Sequence, residues 1–285
     1  MFIPGRVSLL FIWMFVLHMR DFFKAPLRLI FQTMGILYCF CLSKIYPKNS
    51  LLLSQFKNKD VYILGSGSSV DDVDLTRIEN SVVILLNSSY RRHTELRDKG
   101  NILIWFCVDM GSFNKFSHLV PPDIPKIVSI HWFVFRNLPY LNLSRGDTFL
   151  MPKIAFKRDP RCGGYYGLMP KRPESQEDYW FDLQDKTIFL PAHTVMLSAI
   201  MLSASLSPKA ITLLGFDLGG SYASNTKKGA YYEQPNYQKI RDNIEHSLKL
   251  ILKNCQEKNI AIWNNSPRTK ETVLPKSSFL LKEAQ

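Results

Sequence analysis

The sequence lacks the signatures that would reveal its chemistry directly. Its five cysteines form no C-x-x-C pair and no His/Cys cluster at zinc spacing, which argues against a zinc ribbon or a disulfide scaffold and fits a reducing compartment. It has no Gly-Lys-Ser/Thr phosphate loop and no Asp-x-Asp motif after a predicted strand, so metal-free chemistry is the simpler expectation. Hydrophobic and charged residues make up 46% and 21% of the chain, which excludes a disordered or collagen-like protein.

Acidic residues are scarce near the N terminus, and long apolar runs are missing there as well. Residues 1–57 carry seven Lys or Arg against one Asp, which is half of the formal charge of +12. Their uncharged runs of 13 and 15 residues fall short of the ~18–20 apolar residues that span a bilayer comfortably. Arg20, Lys24 and Arg28 recur every four residues, so a helix would carry a basic stripe suited to an anionic membrane interface. A membrane span and a lid packed on the soluble domain are the alternatives.

Beyond a breaker cluster at residues 47–50, short apolar runs alternate with helical stretches. Each run ends in a small or polar residue, which is typical of buried parallel strands. The predicted strands cover residues 61–64, 82–86, 102–108, 127–135, 210–214 and 260–263. Helices are predicted over residues 90–99, 194–206 and 235–258, and loops with short helices over residues 136–190. The alternation predicts an α/β fold with a mostly parallel sheet.

Polar residues at the ends of the predicted strands are the candidate ligand contacts, because such sheets bind ligands outside the carboxyl ends of their strands. The Gly-Ser-Gly turn at residues 65–67 lets the backbone approach a phosphate, and a short helix near Asp72 would direct N–H groups at the anion. No third glycine completes a dinucleotide fingerprint, and a plain tight turn explains the pattern equally well. Asn87 and Asp109, at successive strand ends, add the amide and carboxylate partners that a nucleoside needs.

These motifs resemble those of the bacterial sialyltransferases of glycosyltransferase family 42. The carrying residues are Gly-Ser-Gly-Ser-Ser-Val from residue 65, Gly-Phe-Asp-Leu from residue 215, Ser-Tyr-Ala-Ser-Asn-Thr-Lys at residues 221–227, Asn87, and Asn-Ser at residues 265–266. The resemblance covers roughly residues 60–267. The sequence departs from the family pattern at Ser66 and Asp109, where the family has Asn. It also departs at residues 192–194, which read Ala-His-Thr instead of Thr-Ser-Gly.

The resemblance implies a Rossmann-like nucleotide-binding domain, a variant of the GT-A architecture. It implies transfer of sialic acid or a related nonulosonic acid from a CMP-sugar to a glycan acceptor such as lipooligosaccharide or capsule, with inversion and without a cofactor. The implied CMP-sugar contacts are Gly65, Ser66, Gly67, Ser69, Asn87, Asp109, Thr194, Gly215, Phe216, Asp217 and Leu218.

Transfer from a CMP-sugar requires a base at the acceptor hydroxyl and stabilisation of the leaving phosphate. His246 is the first candidate base because Ile-Glu-His-Ser at residues 244–247 resembles the family's Ile-Gly-His-Ser, and His193 is the second. Tyr222 is the candidate donor to the phosphate. Since a lone histidine on a helix is more often structural, His246 equally fits the flank of a core-facing helix.

Two other functions stay open at this point. The related DUF115 family of flagellin-glycosylation accessory proteins and a pterin pyrophosphokinase share the glycine loop, and a non-catalytic nucleotide-sugar-binding protein would retain the same pattern. The expected segments are a membrane-associated helical part (1–58), a catalytic domain (59–270, with an irregular insert at 136–190 and a lid at 219–240) and a C-terminal tail (271–285).

The expected partners follow from the same observations. They are a CMP-activated donor, a glycan or glycolipid acceptor, and an anionic membrane surface, with the protein peripheral or monotopic on the cytoplasmic face of the inner membrane. Nucleic acid is not expected, because the basic excess outside residues 1–57 is diffuse and no recognition motif accompanies it. Assembly into a homo-oligomer stays open.

Overall fold

The computed structural model describes residues 54–108, 110–129, 148–150, 157–158, 165–166, 194–218 and 237–282. Of the predicted membrane-associated segment (1–58), residues 1–53 lie outside these ranges, as do three predicted site residues, Asp109, His193 and Tyr222. Among the described residues, no helix is both long enough and apolar enough to cross a bilayer.

Seven strands form one sheet in the order β5-β4-β3-β2-β1-β8-β9, and every neighbouring pair is parallel. The strands are β1 (Asp60–Leu64), β2 (Val82–Leu86), β3 (Ile102–Cys107), β4 (Lys126–Ser129), β5 (Thr148–Leu150), β8 (Ala210–Leu214) and β9 (Ala261–Asn264). The predicted α/β fold with a mostly parallel sheet is therefore confirmed. Short antiparallel strands β6 (Lys157–Arg158) and β7 (Tyr165–Tyr166) pair separately.

The apolar runs become strands because helices and loops cover both faces of the sheet. All five residues of β2 are buried, whereas β9, at the edge, alternates exposed and buried positions. A continuous apolar run suits a strand inside the sheet, such as β2, and a half-exposed pattern suits an edge strand, such as β9. Two separate apolar clusters result, one on each face of the sheet.

Four described helices accompany the sheet: α1 (His93–Leu96), α2 (Met110–Phe116), α3 (Val195–Ser205) and α4 (Tyr237–Glu257). Helix α3 packs over β1, β2 and β8, and its small Ala and Ser side chains let it approach the sheet closely. Helix α4 buries Ile244, Leu248, Ile251 and Cys255, which recur at helical spacing. The helices predicted over 194–206 and 235–258 are thus confirmed.

Two local predictions were inaccurate. Residues 148–150 form the edge strand β5 instead of loop or helix, because three residues are too few to show a strand period. The helix predicted over 90–99 is a 3-10 helix, Asn87–Arg92, followed by the short α1. The strand predicted over 127–135 is present as β4 over Lys126–Ser129, and the rest of the predicted range lies outside the described residues.

The C-terminal segment, residues 265–282, folds back over the carboxyl ends of β9, β8 and β1. Asp74 N–H donates to Leu280 O at 2.8 Å, and Lys282 N–H donates to Asp72 O at 3.0 Å. Leu274 and Leu280 are buried. The predicted boundary at residue 270 stays a prediction, but residues 271–282 pack on the preceding domain.

Candidate functional site

A crevice is expected where the winding of the sheet reverses, between β1 and β8. Strands β2 and β3 lie on one side of β1, while β8 and β9 lie on the other. The loops that follow β1 and β8 meet there: Gly65 N–H donates to Leu214 O at 2.7 Å, and Gly67 N–H donates to Gly215 O at 3.0 Å. This junction of two loops is called the crevice below.

Glycine is required in the crevice because the two loops touch. A Cβ on Gly67 would lie 2.5 Å from Gly215 O and 2.6 Å from Asp217 Oδ2, and a Cβ on Gly65 would lie 2.7 Å from Gly215 O. Gly215 itself has a φ of +67°, which favours glycine. The Gly-x-Gly motif thus has a structural cause in the packing of the β1 loop on the β8 loop.

Asp217 holds the glycine loop through a buried carboxylate. Its Oδ2 accepts a hydrogen bond from Ser69 N–H at 2.9 Å and a longer one from the Ser68 hydroxyl at 3.4 Å, while its Oδ1 accepts from the Ser69 hydroxyl. The 3-10 helix Ser68–Asp72 starts at this point. Ser69, which is predicted as a CMP-sugar contact, thus donates its backbone N–H to the protein's own carboxylate.

The C-terminal segment fixes the β8 loop from the opposite side. Phe216 N–H donates to Ser266 Oγ at 2.9 Å, and the Thr269 hydroxyl donates to Phe216 O at 2.7 Å. Lys270 N–H donates to Asp217 O at 2.8 Å. Sequence reasoning singled out the Asn-Ser pair after the last strand but missed Thr269, since a threonine in a polar loop carries no recognisable signal.

A buried network shapes the start of that segment. Asn264 Nδ2 donates to Glu271 Oε2 at 3.1 Å, and Asn264 Oδ1 accepts from Ser266 N–H at 3.1 Å. The other Glu271 oxygen accepts from the N–H groups of Val273 and Leu274. Because a buried carboxylate needs such donors, this loop is specified by its hydrogen bonds more than by apolar packing.

Some buried side-chain atoms near the strand ends have no partner among the described residues. They include Asn87 Oδ1, at the end of β2, and both polar atoms of Asn265, directly after β9. Asn87 has a φ of +49°, a conformation that Asn tolerates better than most residues, and its backbone oxygen accepts from Trp105 Nε1 at 2.8 Å. Buried polar atoms without partners are uncommon in folded proteins.

Charged pairs border the start of the C-terminal segment and the helix that follows the glycine loop. Arg268 donates to Asp72 Oδ1 at 2.6 Å, and Arg92 pairs with Asp71. The hydrogen bond with Asp72 raises the pKa of Arg268, and the negative charges of Asp72 and Asp217 act in the same direction. A cationic group thus lies within electrostatic reach of the buried Asp217.

The structure joins most of the predicted contacts that it describes. Gly65, Ser66, Gly67 and Ser69 belong to one loop, and Gly215, Phe216, Asp217 and Leu218 belong to the facing one. Leu218 is buried with a φ of +41°, a conformation that is unusual for so bulky a residue. The predicted contact between Asp217 and the nucleoside stays a prediction, and the carboxylate hydrogen bonds described above are all to the protein's own Ser68 and Ser69.

Two further predicted residues lie on helices. Thr194 caps α3, where its Oγ1 accepts from Met196 N–H at 2.9 Å. Met196 in turn packs against Gly65, so the start of α3 adjoins the glycine loop. His246 is exposed on α4, and no hydrogen bond within the described residues links it to the crevice. Those residues also contain no group of three His, Cys, Asp or Glu that could hold a metal ion.

Comparisons with known proteins give a weak structural likeness. No protein-family model and no curated protein sequence matches the chain. The chain is similar to the sialyltransferase CstII from Campylobacter jejuni in complex with a substrate analogue, cytidine-5′-monophosphate, at 13% identity, a TM-score of 0.34, and coverage of 80% of this chain and 91% of that chain.

A second structure, of sialyltransferase CST-II with a trisaccharide acceptor and CMP, gives 14% identity, a TM-score of 0.35 and the same coverage. The C-domain of a bacterial malonyl-CoA reductase with NADP gives 13% identity and a TM-score of 0.25, over 82% of this chain and 31% of that chain. At these identities the likeness concerns the fold alone.

Proposed function

We propose that the protein is a glycosyltransferase that transfers sialic acid, or a related nonulosonic acid, from a CMP-sugar to a glycan acceptor. The observation that carries the proposal is the meeting of the glycine loop with the Gly-Phe-Asp-Leu loop of β8 at the switch point of a parallel sheet. Open α/β sheets bind their ligands at such a crevice. The sequence resemblance to the sialyltransferase motifs at the same two loops supports the choice of donor.

The unpartnered oxygen of Asn87 supports a nucleotide ligand. It is buried at the end of β2, next to the strand that carries the glycine loop. A carbonyl oxygen in this position needs a donor, and a nucleoside offers hydroxyl and amino donors. We propose that Asn87 and the glycine loop contact the nucleotide, while Asp217 holds the loop in place.

The proposed reaction is an inverting displacement without a metal or other cofactor. The acceptor hydroxyl attacks the anomeric carbon of the donor sugar, the bond to the phosphate breaks, and CMP leaves with the electron pair. His246, or His193 as the alternative, takes the hydroxyl proton, and Tyr222 donates a hydrogen bond to the leaving phosphate.

A ligand-stabilisation screen tests the proposal. The unfolding temperature is measured with CMP, CDP, UMP, ATP and GTP, each with and without Mg²⁺. We expect CMP to stabilise without Mg²⁺, by ~2.7 kcal/mol at a hundredfold excess over its Kd. Stabilisation confined to ATP with Mg²⁺ would favour a pyrophosphokinase-like enzyme instead. If none of these nucleotides stabilises the protein, the proposal is wrong.

We further propose that residues 1–46 hold the enzyme on the cytoplasmic face of the inner membrane, near a glycolipid acceptor. The basic stripe of Arg20, Lys24 and Arg28 motivates this. Sedimentation with anionic vesicles checks it, since replacing all three residues by Glu should abolish binding. Unchanged binding of that variant would contradict the proposal.

A further inference from the structure

Asn265 combines complete burial with a side chain that forms no hydrogen bond. Its exposed fraction is 0%, and neither Oδ1 nor Nδ2 has a partner among the described residues. Its backbone N–H donates to Leu213 O at 2.9 Å, which fixes the residue beside the end of β8. Burying an amide without partners is costly, so a partner from outside the fold would explain why the position holds Asn.

The preceding residue shows the opposite arrangement. Asn264 bonds through its side chain to Ser266, Thr269 and Glu271, so its amide is used entirely within the fold. The two adjacent asparagines thus differ in whether hydrogen bonds from within the protein satisfy the side-chain amide.

The position of Asn265 relates it to the crevice. Asn265 follows strand β9, which is the neighbour of β8. Asn87 follows strand β2, which is the neighbour of β1. The residue after Asn265, Ser266, accepts the hydrogen bond from Phe216 N–H in the crevice loop. The Asn87 oxygen and the Asn265 amide, which have no partners among the described residues, therefore flank the switch point, one on each side.

We infer that the Asn265 side chain binds the base edge of the nucleotide in the crevice, an inference that rests on the proposed function. A side-chain amide presents an acceptor and a donor in one plane, and asparagine binds base edges that present the complementary pair. Leu213 in β8 and Phe216 in the loop after it are both bonded to this part of the chain, and both are apolar and buried. A single planar amide suits the edge of a flat base better than a phosphate or a sugar, which need several polar partners.

The experiment compares the full chain with Asn265→Leu and Asn265→Ala, and uses Asn264→Leu as the matched control. Two quantities are measured for each protein: the unfolding temperature without ligand, and the Kd for CMP, UMP, AMP and ribose 5-phosphate by calorimetry. The alanine variant keeps the test decisive if leucine does not fit the site.

We expect the Asn265 variants to lose at least tenfold in CMP affinity and to discriminate less between CMP and UMP. Their unfolding temperature should be unchanged or raised, because an apolar side chain in place of an unpaired buried amide removes a desolvation cost. Their affinity for ribose 5-phosphate should be unchanged. Asn264→Leu should lower the unfolding temperature, because it removes three internal hydrogen bonds.

Three results would overturn the inference while the proposed function stands. The first is an unchanged CMP affinity in both Asn265 variants. The second is an unfolding temperature of these variants that is lowered as far as in Asn264→Leu. The third is a loss of affinity for ribose 5-phosphate, which has no base, that equals the loss for CMP. If the unsubstituted chain binds none of the probes, the proposed function is wrong and the inference falls with it.

Discussion

Ser69 and Asp217, separated by 148 positions in the sequence, are joined by two hydrogen bonds. The Ser69 N–H donates to one carboxylate oxygen at 2.9 Å, and its hydroxyl donates to the other. Both residues are buried. The pair links the loop after the first strand to the loop after β8, so the Asp217 carboxylate reinforces the backbone hydrogen bonds that join the two loops of the crevice.

Replacing that carboxylate should destabilise the protein. Asp217→Ala leaves the Ser69 N–H and hydroxyl without an acceptor, and we expect a loss of about 1–3 kcal/mol in the free energy of unfolding, measured by urea denaturation. Asp123→Ala, which breaks the exposed pair with Arg97, is the control and should cost less than about 1 kcal/mol. Equal effects of the two substitutions would contradict a positioning role for Asp217.

A methyl group on the glycine loop should be equally harmful. In Gly67→Ala the new Cβ would lie within 2.6 Å of two oxygens, one in the backbone and one on the buried Asp217. Neither can retreat without breaking the junction of the loops, so we expect a destabilisation of about 1–3 kcal/mol. Thermal unfolding measures it. Ser66→Ala, in the same loop, should leave the unfolding temperature nearly unchanged.

Removing the end of the chain should unfold the crevice before the rest of the sheet. Truncation after Pro275 deletes the buried Leu280 and the bridge between Val73 and Leu281. Hydrogen exchange should then speed up at residues 68–74, next to the glycine loop. A chain ending at Lys282 is the control, and its exchange should match the parent. Unchanged protection after the longer truncation would show that the segment is dispensable.

The thiol of Cys255 should be unreactive in the native protein. Burial raises its pKa from 9.0 to about 12, against the weaker opposing effect of Lys258. Alkylation at pH 8, followed by mass spectrometry of the Cys255 peptide, should label the urea-unfolded chain but not the folded one.

The same shift makes stability depend on alkaline pH. Since the unfolded thiol ionises near pH 9 and the folded one only near pH 12, the unfolded state loses its proton first. The contribution of the protonated Cys255 thiol to the free energy of unfolding is complete below pH 9 and is lost as the pH rises towards 12. A Cys255→Ala variant should therefore lose less stability than the parent over this window. An equal loss would mean that the thiol does not contribute.

The proposed base is tested by turnover with a CMP-sugar donor. His246→Ala should lower kcat by about 10²- to 10⁴-fold while leaving the Kd for CMP nearly unchanged. His118→Ala, which alters another exposed histidine, is the control and should keep full activity. Near-normal turnover of His246→Ala would exclude His246, and the same measurement on His193→Ala then tests the alternative.

The strands and long helices could be predicted from the sequence because their signals are local. The all-buried run of β2 and the helical spacing of Ile244, Leu248 and Ile251 each specify an element without reference to the rest of the fold. Strand β5 could not be predicted, since its three residues form a strand only by pairing with β4. Tertiary pairing, and not propensity, specifies such an edge strand.

The candidate site was predictable in location but not in its bonding. The strand-end rule places Gly67, Asn87 and Asp217 together, and the structure joins the first and last of them. No pattern could show that Asp217 bonds to Ser69 instead of facing solvent or ligand, because that contact depends on the distance between two loops. Thr269 and Glu271 lie in a segment without periodicity, so their buried roles follow only from the folded chain.

The return of residues 265–282 to the start of the sheet sets an order for folding during synthesis. Strands β1 to β3 pair with sequence neighbours and can associate while the chain is still growing. The other edge of β1 must wait for β8, and the carboxyl ends of both strands must wait for residues 265–282. Contacts between such distant positions form slowly. The nascent chain therefore presents an unpaired edge of β1 until β8 has been made, which is the interval in which a chaperone would act.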